Sequence, residues 1–395
     1  MKSNSRSVAD FNGDGILDVL VGSNEKLGQG GNAGAIYAID GRGNKAGNPP
    51  YLKNWPVTMT SLAIFPLIAD GCTNAGAAAD INGDNIPEAI MHGSGSSPVI
   101  LPGDPGEQDR LSVLPANALP DRGKDDAGNP QRGLEPTAIF GELTKARTPD
   151  TFFPLFAQPA VGDLDQDGTP DITASGGSLS LAQQLQSQGS SPAPGQHLLA
   201  MWSGRTGKMF PGSPIVLEDY TFFNNHAIAD VSGDDYPEVI TGSGAYFLHA
   251  ADACGREAEG FPKFTGQWIV ATTAVGDVNG DKMLDVVVTT RSGWLYAWKT
   301  KGREDGAVEW ESFHHDNYNS GSLSTPLAQG RKTKAAKPLD CSAILPTGGT
   351  GLQADGTEAG GGCNCTVPAS GGRTGYAAGL FAIAAAGIIA SRRRR

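Results

Sequence analysis

Asp10-Phe11-Asn12-Gly13-Asp14-Gly15-Ile16-Leu17-Asp18, followed by Val19-Leu20-Val21, decides how this chain is read. Oxygen-bearing side chains stand at positions 1, 3, 5 and 9 of the nonapeptide. The pattern returns four times, at Asp80 to Glu88, Asp163 to Asp171, Asp230 to Glu238 and Asp277 to Asp285. A short apolar run follows each copy, as in Val286-Val287-Val288. A unit that recurs at intervals of tens of residues signals a repeat architecture.

The flanks of each loop repeat as well. A short strand enters (Ala78-Ala79-Asp80, Ala160-Val161-Gly162, Ala274-Val275-Gly276) and a second leaves (Val19 to Val21, Val239-Ile240-Thr241, Val286 to Thr289). A Gly-rich turn leads to a third, aromatic strand: Ala35 to Ile39, Tyr246 to Ala250, Trp294 to Trp298. A fourth is expected near Trp55-Pro56, Phe210-Pro211, Phe261-Pro262 and Trp310. Alternating apolar and aromatic residues bounded by Gly, Asn and Asp read as strands. Four short strands per unit make the blade of a β-propeller, so the fold class expected is all-β, with five blades visible. The loops start 70, 83, 67 and 47 residues apart, and 47 is close to a bare blade. The longer intervals imply insertions at Gly93–Pro154 and Gly176–Gln196.

Ca²⁺ takes six to eight hard oxygens in a flexible cage. The loops supply such a set: Asp10, Asn12, Asp14, the Ile16 carbonyl and Asp18; Asp80, Asn82, Asp84, the Ile86 carbonyl and Glu88; Asp163, Asp165, Asp167, the Thr169 carbonyl and Asp171. The last two supply Asp230, Ser232, Asp234, the Tyr236 carbonyl and Glu238, then Asp277, Asn279, Asp281, the Met283 carbonyl and Asp285. Position 6 needs a left-handed residue, which Gly15 and Gly168 provide without cost. Ser232 is a poorer ligand than Asn or Asp, and Lys282 at position 6 brings a positive charge, so the fifth loop is expected to be the weakest. An EF-hand is excluded, because position 12 is Val21, Met91, Ala174, Thr241 and Val288 rather than Glu. The competing reading is a set of Asp/Asn turns closed by side-chain-to-backbone hydrogen bonds. Five copies, each with an acid at position 9, weigh against it.

The chain of 395 residues carries 55 Gly and 26 Pro, which favours many turns and short strands. Its formal charge is −12, and 17 of its 42 acidic residues lie in the five loops. Five bound Ca²⁺ would bring the charge to about −2. No basic stripe crosses this region, so no nucleic-acid partner is expected. Cys72, Cys254, Cys341, Cys363 and Cys365 are too sparse for a disulfide scaffold. Cys72 and Cys254 read equally well as buried thiols or as one bridge.

The Asp-x-Asn-Gly-Asp-Gly-x-x-Asp loops and aromatic third strands of residues 5–320 resemble FG-GAP/VCBS repeats, the type of the integrin α-subunit propeller. The resemblance implies a propeller of about seven blades on a cell surface. Five are visible and the first loop begins nine residues from Met1, so further sequence upstream is expected; no signal peptide is legible. The last 35 residues resemble a MYXO-CTERM sorting tail. Cys363 and Cys365 in a glycine-rich setting match its cysteine motif, Thr374 to Ser391 form a weak apolar helix, and Arg392 to Arg395 close the chain. That stretch would span ~27 Å as a transmembrane helix. The resemblance implies a sorting protease as a partner. The domains expected are thus 1–322 (propeller), 323–362 (a flexible Gly/Thr/Ala/Pro-rich spacer) and 363–395 (sorting tail).

No His-Glu-x-x-His, Gly-x-Ser-x-Gly or Walker loop is present. His314-His315-Asp316 lacks a nucleophile or metal partner and is expected to pack the final strand. The leading expectation is a non-enzymatic, calcium-stabilised binding or adhesion module, displayed outside the cell and anchored or released through its tail. Its ligand would be a protein or glycan on the propeller surface. One alternative is a carbohydrate-active enzyme using insertion residues such as Asp104, Glu107, Asp109, Arg110, Asp121, Asp125, Asp126 and Glu135. Another is a scaffold for a second surface protein.

Overall fold

The computed structural model describes residues 6–23, 35–43, 50–58, 62–64, 67–69, 76–91, 99–101, 103, 121–124, 130–132, 152–153, 158–178, 181, 196–221, 225–330, 335 and 337–342. The first unit is a four-stranded antiparallel sheet of β1 (Arg6–Ala9), β2 (Asp18–Ser23), β3 (Ala35–Ile39) and β4 (Val57–Thr58). A ribbon of β5 (Leu62–Ile64) and β6 (Leu67–Ala69) follows, then the second unit of β7 (Ala77–Ala79), β8 (Glu88–Met91) and β9 (Val99–Leu101). A second ribbon, β10 (Asp121–Lys124) and β11 (Pro130–Arg132), falls in the first insertion. The third unit holds β12 (Phe152–Phe153), β13 (Ala160–Gly162), β14 (Asp171–Ser178), β15 (His197–Trp202) and β16 (Ile215–Leu217). The fourth holds β17 (Ala227–Ala229), β18 (Glu238–Gly242), β19 (Phe247–Ala251) and β20 (Lys263–Phe264). The fifth holds β21 (Ala274–Gly276), β22 (Met283–Thr289) and β23 (Leu295–Arg303), and β24 (Val308–Trp310) follows it.

Every named element is a strand, so the all-β expectation holds among the described residues. The uniform four-stranded blade does not. The second and fifth sheets show three described strands each. The stretch near Trp310, expected as the fourth strand of the fifth unit, leaves that unit altogether. β24 pairs with β17 of the fourth unit, placing Ile228 opposite Trp310 and Ala229 opposite Val308.

Burial explains this departure. The strands entering successive loops, β1, β7, β13, β17 and β21, lie beside one another, which suits small residues such as Ala77-Ala78-Ala79 and Ala227-Ile228-Ala229. The chain from Ala307 to Leu323 fills the space they leave. Val8 N–H donates to Ser320 O (2.9 Å), Ala78 N–H to Gly321 O (2.8 Å), Asp230 N–H to Ala307 O (2.8 Å) and Val275 N–H to Glu311 O (2.8 Å). Gly162 lies so close to Glu309 that a Cβ there would meet its Cβ at 2.7 Å. All five inner strands therefore touch this one segment. Trp310 is fully buried in it, and His315 stands edge-on to the indole at 4.9 Å. The His-rich end thus packs against Trp310 of β24, the final strand, as expected.

The stretch expected as a free spacer is also tied down where it is described. Leu323 N–H donates to Ala78 O, Gly330 N–H to Glu304 O and Leu339 N–H to Asp165 O. Tyr236 donates its hydroxyl to Lys337 O at 2.7 Å. Cys254 is bonded to Cys341, so neither expectation for it, a buried thiol or a bridge to Cys72, holds. Cys72, the rest of the spacer, and the sorting tail with Cys363 and Cys365 lie outside the described residues. Among the described residues no helix is long and apolar enough to cross a membrane.

Candidate metal centre

The five acidic loops share one hydrogen-bond frame. The position-9 carboxylate accepts the N–H of position 2 in each: Asp18 from Phe11, Glu88 from Ile81, Asp171 from Leu164, Glu238 from Val231 and Asp285 from Val278, at 2.7–3.1 Å. The position-1 aspartates Asp10, Asp80, Asp163, Asp230 and Asp277 accept the N–H of position 6. The position-5 aspartates Asp14, Asp84, Asp167, Asp234 and Asp281 accept the N–H of position 7, that of Ile16, Ile86, Thr169, Tyr236 and Met283. Position 6 is left-handed throughout, Asn85, Asp235 and Lys282 included. So is position 4, at Gly13, Gly83, Gln166, Gly233 and Gly280. This second requirement escaped the sequence reading, although Gly at position 4 in four of five loops was its signal.

The position-9 carboxylate has a structural task, then, as well as the chemistry of a ligand. In the first and third loops its second oxygen is taken too, by Gly41 N–H (2.9 Å) and Gly204 N–H (3.0 Å). Both glycines follow the third strand, and neither can carry a Cβ, which would strike the carbonyl of Leu17 or Pro170 at 1.9 Å.

The loops differ in what faces their acids. Arg42 Nε lies 3.2 Å from Asp14 in the first loop, Arg205 pairs with Asp167 in the third, and Lys299 Nζ lies 2.6 Å from Asp281 in the fifth. Asn82 donates its amide to Asp84 (3.1 Å) and Glu88 (2.7 Å) in the second loop. Lys282, expected to weaken the fifth loop, instead points away to Glu304 at 2.7 Å. The interfering cation there is Lys299.

Two loops gather their carboxylates closely. Oxygens of Asp163, Asp165 and Asp171, and of Asp230, Asp234 and Glu238, lie within 4.8 Å of one another. In the fourth loop Glu238 Oε2 takes the N–H groups of Val231 and Ser232. Burial raises Glu238 to about 8, and neighbouring Asp230 and Asp234 add to the shift. Glu88 is raised to about 7 by burial, and Asp165 to about 6 by burial and the charge of Asp167. Buried acids this crowded call for a proton or a cation, part of which Arg205 supplies in the third loop, and an all-oxygen donor set fits Ca²⁺. The fifth loop differs: backbone N–H groups hold Asp277 below its ordinary range, and Lys299 does the same to Asp281. Ser232 spoils the fourth loop less than its sequence suggests, since its hydroxyl turns to Asp230 at 3.4 Å.

A family model of the FG-GAP repeat matches residues 5–39, the span of β1, the first loop, β2 and β3. No curated protein matches the chain. Among solved structures, BBS1N in complex with ARL6DN is 12% identical over 78% of this chain and 81% of its own, at a TM-score of 0.35. The quinohemoprotein alcohol dehydrogenase ADHIIG from Pseudomonas putida HK5 is 12% identical, covers 70% of this chain and 42% of its own, and gives 0.37. The PilY1 C-terminal domain of Pseudomonas aeruginosa is 13% identical over 76% and 59%, with a TM-score of 0.29. Similarities this low assign no function.

Proposed function

We propose that the chain is a non-enzymatic, calcium-stabilised binding module of the β-propeller type, displayed outside the cell. The observation that carries this is the fourth loop, where Asp230, Asp234 and Glu238 converge without a basic partner among the described residues. The FG-GAP match at residues 5–39 and the Cys254–Cys341 bond are consistent with it, since disulfides persist in oxidising compartments. The described tail ends near the acidic loops, with Leu339 bonded to Asp165.

Extracellular modules bind Ca²⁺ with Kd ~10⁻⁴–10⁻³ M. At ~10 mM, each filled loop contributes ~1.4–2.7 kcal/mol. The test is thermal melting of the full chain in EGTA and across a Ca²⁺ titration. A graded rise of Tm supports the reading; an unchanged Tm in a folded protein reduces the loops to Asx turns. The enzyme alternative rests on insertion acids, most of which lie outside the described residues, and no observation favours it.

A further inference from the structure

We propose that Asn12-Gly13 is a site of spontaneous covalent modification: the folded chain deamidates there, to aspartate and isoaspartate, faster than at the two matching pairs Asn82-Gly83 and Asn279-Gly280. This goes beyond the reading of the chain as a binding module and does not require the loops to hold an ion.

The three pairs form a natural comparison. Each occupies positions 3 and 4 of its loop, after an apolar residue and before an aspartate: Phe11-Asn12-Gly13-Asp14, Ile81-Asn82-Gly83-Asp84 and Val278-Asn279-Gly280-Asp281. In each the glycine is left-handed and exposed. In each the Asn Oδ1 accepts the N–H of the aspartate that follows, at 3.0, 2.8 and 3.0 Å.

The chemistry uses what all three supply. The glycine nitrogen attacks the Asn Cγ and a new C–N bond closes a succinimide ring. The Cγ–Nδ2 bond breaks, and the side-chain nitrogen leaves as ammonia with the proton given up by the glycine amide. Water then opens the ring at either carbonyl, giving aspartate or isoaspartate. Glycine has no Cβ to crowd the attacking nitrogen. The aspartate N–H bonded to Oδ1 stabilises the negative charge that collects there as Cγ becomes tetrahedral.

The loops differ in how the reacting groups are held. Gly83 N–H donates to Asp80 Oδ1 and Gly280 N–H to Asp277 Oδ1, each at 2.7 Å. Asn82 Nδ2 donates to Asp84 (3.1 Å) and Glu88 (2.7 Å), and Asn279 Nδ2 to Asp285 (3.3 Å). Ring closure in these loops has to break those bonds. In the first loop Asp10 takes the N–H groups of Asp14 and Gly15. Among the described residues neither Gly13 N–H nor Asn12 Nδ2 donates a hydrogen bond, so the attacking nitrogen and the departing amide are both unrestrained at Asn12.

Either product leaves a carboxylate in the first loop. Aspartate reproduces position 3 of the third loop, where Asp165 stands. Isoaspartate also lengthens the main chain by a methylene within the hydrogen-bonded frame.

The test is peptide mapping by mass spectrometry on the full chain, aged in warm neutral buffer with EGTA, with isoaspartate identified by electron-transfer fragmentation. Asn12 should convert about tenfold faster or more than Asn82 and Asn279, the effect of a charge-assisted hydrogen bond that only those two must break. In chain unfolded by guanidinium chloride the three should convert at similar rates, because their flanks match. Asn12→Gln should remove the fast conversion. The inference is overturned if Asn12 stays intact in the folded chain, if it converts no faster than Asn82 and Asn279, or if the same ranking persists in the unfolded chain, which would assign it to local sequence and not to the fold.

Discussion

Lys299 Nζ lies 2.6 Å from Asp281 Oδ2, so a side chain from the third strand of the fifth unit reaches back into the loop that opens the unit. It places an ammonium where the other reading places a metal. Arg42 does the same to Asp14 in the first unit. The acids of the fifth loop are neutralised from within, and an entering Ca²⁺ must displace Lys299 before it gains their full charge. Lys299→Gln should therefore enlarge the Ca²⁺-induced rise in Tm over that of the wild type. An identical response would show that the lysine does not compete.

The fourth loop should behave in the opposite way. Glu238→Gln keeps the side-chain shape but removes a charge from the cluster with Asp230 and Asp234. Its Tm in EGTA should change little, because the wild-type carboxyl is already driven toward its neutral form by burial. In ~10 mM Ca²⁺ it should lose about 1.4–2.7 kcal/mol of ion-dependent stabilisation. The EGTA and Ca²⁺ melting curves, compared for wild type and variant, measure this difference; an undiminished Ca²⁺ shift would exclude the fourth loop as an ion site.

Trp310→Ala probes the axis. A fully buried indole replaced by methyl typically costs about 3–5 kcal/mol. Since segment 307–323 touches all five inner strands, the loss should appear as one cooperative transition at lower denaturant, seen by urea unfolding. A change under about 1 kcal/mol would mean that the segment is not part of the core.

The strands and loops were legible because their signals are local: nine-residue acid spacing, period-two alternation and Gly at turns. The axis was not, because its signal is relational. Ala77-Ala78-Ala79 alone reads as a weak strand, and its smallness acquires a reason only when Gly321 to Leu323, over 200 residues away, pair beside it. The cause assigned to the weakness of the fifth loop was wrong for the same reason. Lys282 was visible inside its loop and proved harmless, whereas Lys299 lies on a strand and gives no sign in sequence of the loop it enters. The pairing of Cys254 with Cys341 likewise depends on the path of the tail.

That disulfide spans a separation of 87 residues. By the chain-entropy account a loop of that length contributes up to about 4.5 kcal/mol. Cys254→Ser should lower Tm markedly and speed tryptic cleavage in the stretch that leads to Cys341. Limited proteolysis followed by mass spectrometry reports both the site and the rate. Cleavage no faster than in the wild type would show that hydrogen bonds alone hold the strap.

His249 gives the fold a pH dependence with a definite sign. Its ring is buried between two carboxylates, with Nδ1 3.0 Å from Glu257 Oε2 and Nε2 3.1 Å from Glu218 Oε2. Burial opposes the imidazolium, but the two hydrogen bonds prevail and raise the pKa to about 9. The stabilisation is complete below the unfolded value of about 6.5 and is lost as pH rises through about 9. Burial opposes ionisation of Glu218 as well, yet the bond to His249 holds it below its ordinary range, so its share is present above about 4.5 and lost in acid. The triad therefore stabilises most between about pH 4.5 and 6.5. Each glutamate is about a third exposed, so solvent screening reduces the gain to roughly 2 kcal/mol. Urea unfolding at pH 6 and pH 9.5 should show that difference in the wild type and little of it in His249→Gln. Equal pH slopes in the two proteins would mean that the histidine is neutral in the folded state.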